Sequence, residues 1–209
     1  MKGRKLEMKD STKKIFGALF SEHADLKGVE GEILLAYDIL AECYAAGKKT
    51  LICGNGGSAS DCEHIVGEFM KSFKLKRPLA KPIPGLPGLQ APLRSISLAS
   101  QTSIITAVVN DIGADYIFAQ QVLGYADAGD VLVALSTSGN AANVCAAVLA
   151  AGALDCKTIA ITGKNGGKLK DMCDCLINLP ADETYRVQEF TLPVYHALCA
   201  AVENEFFGE

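Results

Sequence analysis

The sequence predicts an α/β protein built on a doubly wound parallel sheet, and two observations lead to this prediction. Residues 131–135 (VLVAL) form a continuous apolar run, which is typical of a strand buried on both faces of a parallel sheet. Similar runs at 48–53 and 158–162 are each followed by a glycine-rich turn and then by a segment of helix-compatible composition. Strands that alternate with helices in this way form a parallel sheet with right-handed crossovers and helices on both faces.

The first 47 residues predict two helices that precede the sheet. Apolar side chains such as Ile15 and Leu19 recur at helical spacing, and Gly28 separates the two helical segments. We expect residues 1–47 to pack in an oligomer and residues 48–209 to form the α/β core. The whole chain is then a single domain, which its length allows.

The core elements follow from the same patterns, taken in order. Five prolines within residues 77–92 make regular structure improbable there and predict a surface loop or flap. The other predicted elements are a strand at 48–53, a helix at 61–73, a strand at 94–99, a helical turn at 102–109, a helix at 116–125, a strand at 131–135, a helix at 141–151, a strand at 158–162, a short helix near Leu169, a strand at 176–179 and a final helix at 183–206 that is interrupted at Pro193.

The charge balance and the apolar segments exclude several classes of protein. The 24 acidic and 20 basic residues give a net charge of −4, so we expect no generic attraction to nucleic acid or to an anionic membrane. The chain has no run of about 18 apolar residues that would predict a membrane span. The lysine-rich first 17 residues are not followed by the apolar segment of a signal peptide. We therefore expect a cytoplasmic protein whose eight cysteines are reduced core thiols.

Two polar loops directly follow predicted strands and mark the expected ligand site. In open α/β sheets, ligands bind beyond the carboxyl ends of the strands, and the loops 54–58 (GNGGS) and 136–140 (STSGN) lie at two such ends. Consecutive hydroxyls and free helix amides suit an anion such as phosphate, although the same residues also serve as ordinary helix caps. Neither loop matches the Walker or the dinucleotide fingerprint, so we expect no nucleotide cofactor.

Six sequence blocks occur in a characteristic order. They are GNGGS at 54–58, ASDCEHIVGEF at 59–69, VVND at 108–111, STSGN at 136–140, ITGKNGGKL at 161–169 and RVQEFTLPVYH at 186–196. As a set they resemble the phosphoheptose isomerase family of SIS (sugar isomerase) domain proteins. The resemblance implies a flavodoxin-like sheet, a homotetramer and conversion of sedoheptulose 7-phosphate to D-glycero-D-manno-heptose 7-phosphate.

The resemblance also implies roles for individual residues. The phosphate-binding hydroxyls of the family match Ser136, Thr137 and Ser138. Its other substrate-binding positions match Asn55, Gly56, Gly57, Ser58, Asn110 and Asp111. The residues around the reacting carbons, which in some members hold a zinc ion, match His64, Glu68, Gln188 and His196. Isomerisation needs a base beside the carbonyl and an acid for the enediolate oxygen, and Glu68 and His196 suit these two tasks. A zinc ion could instead polarise the carbonyl.

Spacing supports part of this site. His64 and Glu68 are four residues apart on a predicted helix and therefore share one face. Gln188 and His196 are eight apart, about 12 Å along a straight helix, which is too far for easy ligation of one ion. Either Pro193 bends the helix or neighbouring subunits contribute one residue each. We expect an active site at a subunit interface.

Other interpretations remain open at the level of sequence. His64 could be an exposed ion-paired histidine, Gln188 a surface residue and His196 a histidine satisfied in the core. The chain could also be a non-catalytic SIS regulator that binds a sugar phosphate or a replication-initiation protein, or an isomerase of another sugar phosphate. Ala141 stands where the family usually has serine, Tyr185 where some members have aspartate, and the 77–92 loop is longer than in the best-known members.

Overall fold

The computed structural model describes residues 7–209. Over this range it has seven α-helices and five β-strands. They are α1 (Asp10–Glu22), α2 (Glu30–Ala45), β1 (Thr50–Gly54), α3 (Gly57–Met70), β2 (Ser95–Ser97), α4 (Thr102–Asp111), α5 (Ala119–Tyr125), β3 (Val131–Leu135), α6 (Ala142–Ala153), β4 (Lys157–Thr162), β5 (Cys175–Asn178) and α7 (Thr184–Phe207), with short 3-10 helices at Ala24–Val29, Ala114–Tyr116 and Gly167–Asp171.

The five strands form one parallel sheet in the order β2-β1-β3-β4-β5, which confirms the predicted fold class. The order reverses direction between β1 and β3, where Gly54 pairs with Leu135. This is the switch point at which doubly wound sheets open a crevice for ligands. The two polar loops therefore leave the sheet side by side.

The alternation of side chains along β3 explains why its sequence is apolar throughout. Val131 and Val133 pack into a core with α1, α2, α3 and α7 on one face of the sheet. Leu132 and Ala134 pack into a second core with α5 and α6 on the other face. A strand covered on both faces has no solvent-facing position, so it carries no polar residue.

The N-terminal helices pack against the last helix of the same chain. Thr12 on α1 and Tyr37 on α2 both donate hydrogen bonds to Oε2 of Glu205, at 3.0 and 2.8 Å. These bonds satisfy a buried carboxylate and join three helices. The packing of these helices in an oligomer stays a prediction.

Helix α7 continues through Pro193, so the predicted interruption there was wrong. A proline removes one backbone donor from a helix. Val187, Val194 and Leu198 are buried on either side of it, and their packing against the sheet outweighs the lost hydrogen bond.

The proline-rich segment lacks regular structure, apart from an isolated bridge between Pro78 and Gln90. Residues 80–89 are exposed, as a surface loop should be. Arg77 is the exception because it is fully buried. In the part of the chain that the structure describes, seven cysteines are buried, all eight are unpaired, and no helix is both long and apolar enough to cross a membrane.

Candidate active site

A cavity of about 290 Å³ lies where β1 and β3 end. Every side chain around it is uncharged, and most of the polar groups are hydroxyls, amides or backbone groups. The lining residues are Asn55, Gly56, Gly57, Ser58, Leu135, Ser136, Thr137, Ser138, Ala141, Thr184 and Gln188. We call this cavity the hydroxyl pocket.

The two helices that follow the polar loops begin at the hydroxyl pocket, and Thr184, the first residue of α7, also lines it. Helix α3 begins at Gly57, four residues earlier than the sequence predicts, because Gly56 has a φ of +59° that turns the chain sharply after β1. Helix α6 begins at Ala142, directly after the second loop. The free N–H groups and the positive ends of both helix dipoles therefore favour an anion in this pocket.

The GKNGG segment at 163–167 supports the second loop through backbone contacts. A Cβ atom added to Gly139 would collide with the carbonyl of Gly166, and one added to Gly167 would collide with the carbonyl of Ser138. Asn140 reaches across with its Oδ1, which accepts a hydrogen bond from the N–H of Lys168 at 3.1 Å. Glycine is required at these positions because the two chain segments touch.

The two loops are also held together by amide side chains. Asn55 and Asn143 exchange two hydrogen bonds, of 2.9 and 3.0 Å, between their amide groups. Gln188 on α7 packs against Gly57, where an added Cβ would lie 2.5 Å from its Nε2. Gln188 thus belongs to the hydroxyl pocket in this chain.

A second polar group, the carboxylate–imidazole cluster, consists of Glu68, His64 and His196. The Nε2 atom of His64 lies 3.3 Å from Oε1 of Glu68 and 3.5 Å from Nε2 of His196. The other oxygen of Glu68, Oε2, is buried and accepts no hydrogen bond, although the Lys71 ammonium is 3.5 Å away. A carboxylate with one uncommitted oxygen is available to accept a proton or bind a cation.

His196 has a lowered pKa because partial burial disfavours its charged form and because His64 is adjacent. It also lines a larger groove of about 660 Å³ between α1 and α7. This groove contains Lys14, His23 and Lys74. The sequence assigns no role to these three residues.

Behind His64 lies a pair of residues that the sequence did not single out. The buried hydroxyl of Tyr195 donates to Oδ1 of Asp61 at 3.3 Å and lies 2.9 Å from Nδ1 of His64. Burial raises the pKa of Asp61 and also that of Tyr195. Asp61 and Tyr195 are 134 residues apart, so no local pattern could have connected them.

A buried ion pair fixes the end of α3 that carries Glu68. The guanidinium of Arg77 donates to the backbone carbonyls of Glu68 and Phe69, at 2.9 and 2.7 Å, and to Oε1 of Glu203 at 2.7 Å. The first two bonds satisfy carbonyls in the last turn of the helix, which have no partner within it. Sequence reasoning missed this contact because Arg77 lies in the proline-rich segment.

The hydroxyl pocket and the carboxylate–imidazole cluster lie at different positions along α3 and α7, which run in the same direction. Gly57 meets Gln188 at one level, and His64 meets His196 at the next. Eleven residues separate Gly57 from Glu68, a rise of about 16 Å. On α7, Gln188 and His196 are eight residues apart, a rise of about 12 Å, which is too far for easy ligation of one ion within one chain.

The remaining predicted pair, Asn110 and Asp111, is not brought to either group. Both are exposed at the end of α4, where the amide of Asn110 donates to Asp111 at 2.6 Å. Val108 is the buried residue of this helix, while Val109 and the following Ile112 are about half exposed. The helix leaves an apolar face uncovered within the chain.

The donor types in the carboxylate–imidazole cluster fit a zinc ion. Two imidazoles and a carboxylate form a common zinc ligand set, and Oε2 of Glu68 has no hydrogen bond to lose. Among residues 7–209, however, no group of three or more His, Cys, Asp or Glu side chains is arranged so that it could hold a metal ion. To form a full set of zinc ligands, these side chains would have to move closer together, or a further residue would have to come from outside the cluster.

Comparison with known proteins gives a consistent result. Residues 23–163 match the model of the SIS domain family. The phosphoheptose isomerase of Geotalea daltonii is 41% identical over 178 residues, which cover 85% of this chain and 86% of that protein. That of Campylobacter concisus is 39% identical over 189 residues, covering 90% of this chain and 92% of that protein.

Two solved structures of phosphoheptose isomerases are also similar. The one from Neisseria gonorrhoeae has a TM-score of 0.75 and 34% identity, and covers 93% of this chain and 98% of that one. The one from Francisella tularensis has a TM-score of 0.78 and 30% identity, with coverage of 93% and 97%. Fold, loops and sequence all agree: this chain belongs to the SIS domain family and, within it, to the phosphoheptose isomerases.

Proposed function

We propose that this protein is an aldose–ketose isomerase that converts sedoheptulose 7-phosphate to D-glycero-D-manno-heptose 7-phosphate. The observation that carries this proposal is the carboxylate of Glu68, whose Oε2 accepts no hydrogen bond, beside His64 and His196, in a chain 41% identical to a phosphoheptose isomerase. The hydroxyl pocket supplies the other requirement, a place for the phosphate.

The phosphate binds in the hydroxyl pocket, where Ser136, Thr137 and Ser138 offer hydroxyls and the two helix N-termini offer N–H groups. Asn55, Gly56, Gly57 and Ser58 close the pocket from the side of β1, and Gln188 closes it from α7. Ala141 adds no hydroxyl, so the binding rests on these groups.

Proton transfer moves the carbonyl from C2 to C1. Glu68 accepts a proton from C1 of the ketose, and the electron pair left behind forms the C1–C2 double bond of an enediolate. His196 donates a proton to the oxygen on C2 and receives the one on the C1 oxygen. Glu68 then returns its proton to C2, which completes the aldose with no net gain or loss of atoms.

Zinc is the proposed metal, with His64, Glu68 and His196 as ligands and Gln188 as a fourth. When bound, it would instead polarise the carbonyl oxygen as a Lewis acid, a task that the proton from His196 fulfils without the metal. The uncommitted Oε2 of Glu68 and the two adjacent imidazoles support this proposal. Since Gln188 lies at a different level of α7 from His196, it would come from another subunit.

The distance between the two groups supports active sites shared between subunits, in an oligomer that we propose is a homotetramer. A heptulose phosphate spans about 10 Å from C1 to phosphorus, given bonds of about 1.5 Å. Glu68 lies about 16 Å along α3 from the hydroxyl pocket of its own chain. A substrate bound in one pocket would therefore react with Glu68 and His196 of a neighbouring subunit. The uncovered face of α4 would pack in that interface and carry Asn110 and Asp111 to the substrate.

Mixed oligomers test whether the sites are shared. We would co-express Glu68→Gln with Ser138→Asp, whose added charge repels phosphate, so that each variant alone is inactive. If sites are shared between subunits, random assembly restores about one quarter of the wild-type activity, because one site in four combines two intact halves. Hybrids as inactive as the two parents would place the whole site in one chain.

The alternative of a non-catalytic regulator is not favoured, because the acid, the base and the hydroxyl pocket are all present. An isomerase of another sugar phosphate would use the same groups. We also propose a cytoplasmic location. The buried, unpaired thiols support it, since disulfides are rare in that compartment.

Purified protein incubated with sedoheptulose 7-phosphate tests the proposed function. Wild type, Glu68→Gln and His196→Asn would be compared with and without zinc, and the aldose product followed by NMR. We expect turnover in the wild type and a loss of 100-fold or more, of the order attributed to general acid–base catalysis, in both variants. Turnover of pentose or hexose phosphates but not of the heptulose would move the assignment to another sugar.

A further inference from the structure

The hydroxyl of Tyr195 occupies a position that the proposed chemistry does not use. It is buried in the chain between α3 and α7, 3.3 Å from Oδ1 of Asp61 and 2.9 Å from Nδ1 of His64. Its ring also packs edge-on against both histidines of the cluster, with ring centroids 5.5 Å from His64 and 4.9 Å from His196.

The single hydroxyl proton can satisfy only one of these two neighbours. An ionised carboxylate can only accept hydrogen bonds, whereas a neutral imidazole can present either a donor or an acceptor at Nδ1. The arrangement that satisfies all three groups has Tyr195 donating to Asp61 and His64 donating from Nδ1 to the tyrosine oxygen. The opposite direction would leave Asp61 without its donor.

We propose that Tyr195 is a positioning residue, which, together with Asp61, holds His64 in the tautomer that carries its proton on Nδ1. This inference rests on the proposed function for its catalytic meaning, because it deepens the assignment of the same site. The consequence is that Nε2 of His64 presents a lone pair towards Oε1 of Glu68 and Nε2 of His196, which lie 3.3 and 3.5 Å away.

A lone pair on Nε2 of His64 suits both tasks considered for the carboxylate–imidazole cluster, namely metal binding and proton transfer. A histidine that binds a metal through one nitrogen usually donates its other N–H to an oxygen acceptor, which fixes the ring and the tautomer. In the metal-free chain, a lone pair at Nε2 can accept a hydrogen bond from an Nε2–H group of His196, 3.5 Å away. With the proton on Nε2 instead, the ring would donate to Oε1 of Glu68 and could not bind a metal through that nitrogen.

Ring ¹⁵N NMR of the metal-free full chain at pH 8, where neutral imidazoles prevail, reports the tautomer directly. The chain has three histidines, so each ring can be assigned by substitution. We expect His64 in the wild type to carry its proton on Nδ1. In Tyr195→Phe, which keeps the ring and removes the hydroxyl, we expect the Nε2–H form to dominate.

Two further variants make the test specific. Tyr185→Phe is the matched control, because Tyr185 lies on the same helix and its exposed hydroxyl contacts Glu183; it should leave the His64 signals unchanged. Asp61→Asn replaces an acceptor with an amide that can donate to the tyrosine oxygen. The tyrosine hydroxyl then donates its proton to a hydrogen bond with Nδ1 of His64, so we again expect His64 to carry its own proton on Nε2.

The outcomes separate this inference from the proposed function. A wild-type His64 with its proton on Nε2, or a tautomer that Tyr195→Phe leaves unchanged, overturns the positioning role even if the isomerase is active. A shifted tautomer with zinc affinity weakened 10- to 100-fold, measured by chelator competition, supports it even if sedoheptulose 7-phosphate is not turned over.

Discussion

Glu203 is a buried charged side chain whose replacement should strongly lower the stability of this fold. Its carboxylate is fully buried and accepts four hydrogen bonds. Three come from the backbone N–H groups of Phe73, Lys74 and Leu75, at 2.8, 2.7 and 3.0 Å, and the fourth from Nε of Arg77 at 2.7 Å. The segment after α3 is thus fastened to α7 by one charged group.

Replacing Glu203 with glutamine removes the charge and turns an acceptor into a donor. The guanidinium of Arg77 then remains buried without its counter-ion, and at least one N–H group faces another donor. Breaking a buried ion pair by removing one partner costs about 3–5 kcal/mol. For a chain of this length, 1 kcal/mol shifts Tm by about 2–4 °C, so we expect Tm to fall by about 6–20 °C.

Thermal melts and urea titrations measure this effect. Glu189→Gln is the matched control, since it removes a carboxylate of the same helix whose pair with Arg186 is about half exposed; it should cost less than about 1 kcal/mol. A loss below 1 kcal/mol for Glu203→Gln would refute the view that this pair holds the end of α3. An equal loss for both variants would refute it too.

Three further predictions concern the pocket, the response to acid and the surface of α4. In Gly57→Ala, the new methyl group displaces Gln188, and the loss of a substrate hydrogen bond should raise KM by about tenfold or more. The control is Gly67→Ala on the same helix, where open space surrounds the added methyl group; it should leave steady-state kinetics unchanged. Burial alone would raise the pKa of Asp174, but hydrogen bonds from Lys157 and Thr158 hold that pKa below its usual value. The ionised Asp174 therefore stabilises the fold above pH 3.8, and this contribution is lost as the pH falls below 3.8. In an acid titration, Asp174→Asn should lose stability less steeply below pH 3.8 than the wild type does. Ile112→Asp places a charge beside the uncovered face of α4. It should shift the protein to smaller species in sedimentation velocity, with loss of activity. An unchanged assembly would show that α4 does not lie in the subunit interface.

Local patterns were sufficient to predict the sheet. The apolar run at 131–135 has polar neighbours on both sides, so both ends of β3 were predicted as observed. The position of the hydroxyl pocket followed as well, because the carboxyl ends of adjacent parallel strands must meet at one edge. These features depend on residues that are close together in sequence.

Features that depend on distant residues were not predicted. Arg77 lies in a segment whose prolines indicate a surface loop, and it is buried because Glu203, 126 residues later, accepts its hydrogen bond. Tyr195 had no visible role because its acceptor is Asp61. The interruption at Pro193 was wrong for the same reason, since tertiary packing outweighs one missing backbone donor.

The central claim is that Glu68 transfers a proton between neighbouring carbons of a heptulose phosphate, and the reaction in D₂O tests it most directly. We predict that the wild-type protein converts sedoheptulose 7-phosphate to an aldose that carries deuterium at C2, because the proton held by Glu68 exchanges with solvent, and that Glu68→Gln forms little product. Product without deuterium at C2, or equal turnover by the variant, would contradict this account.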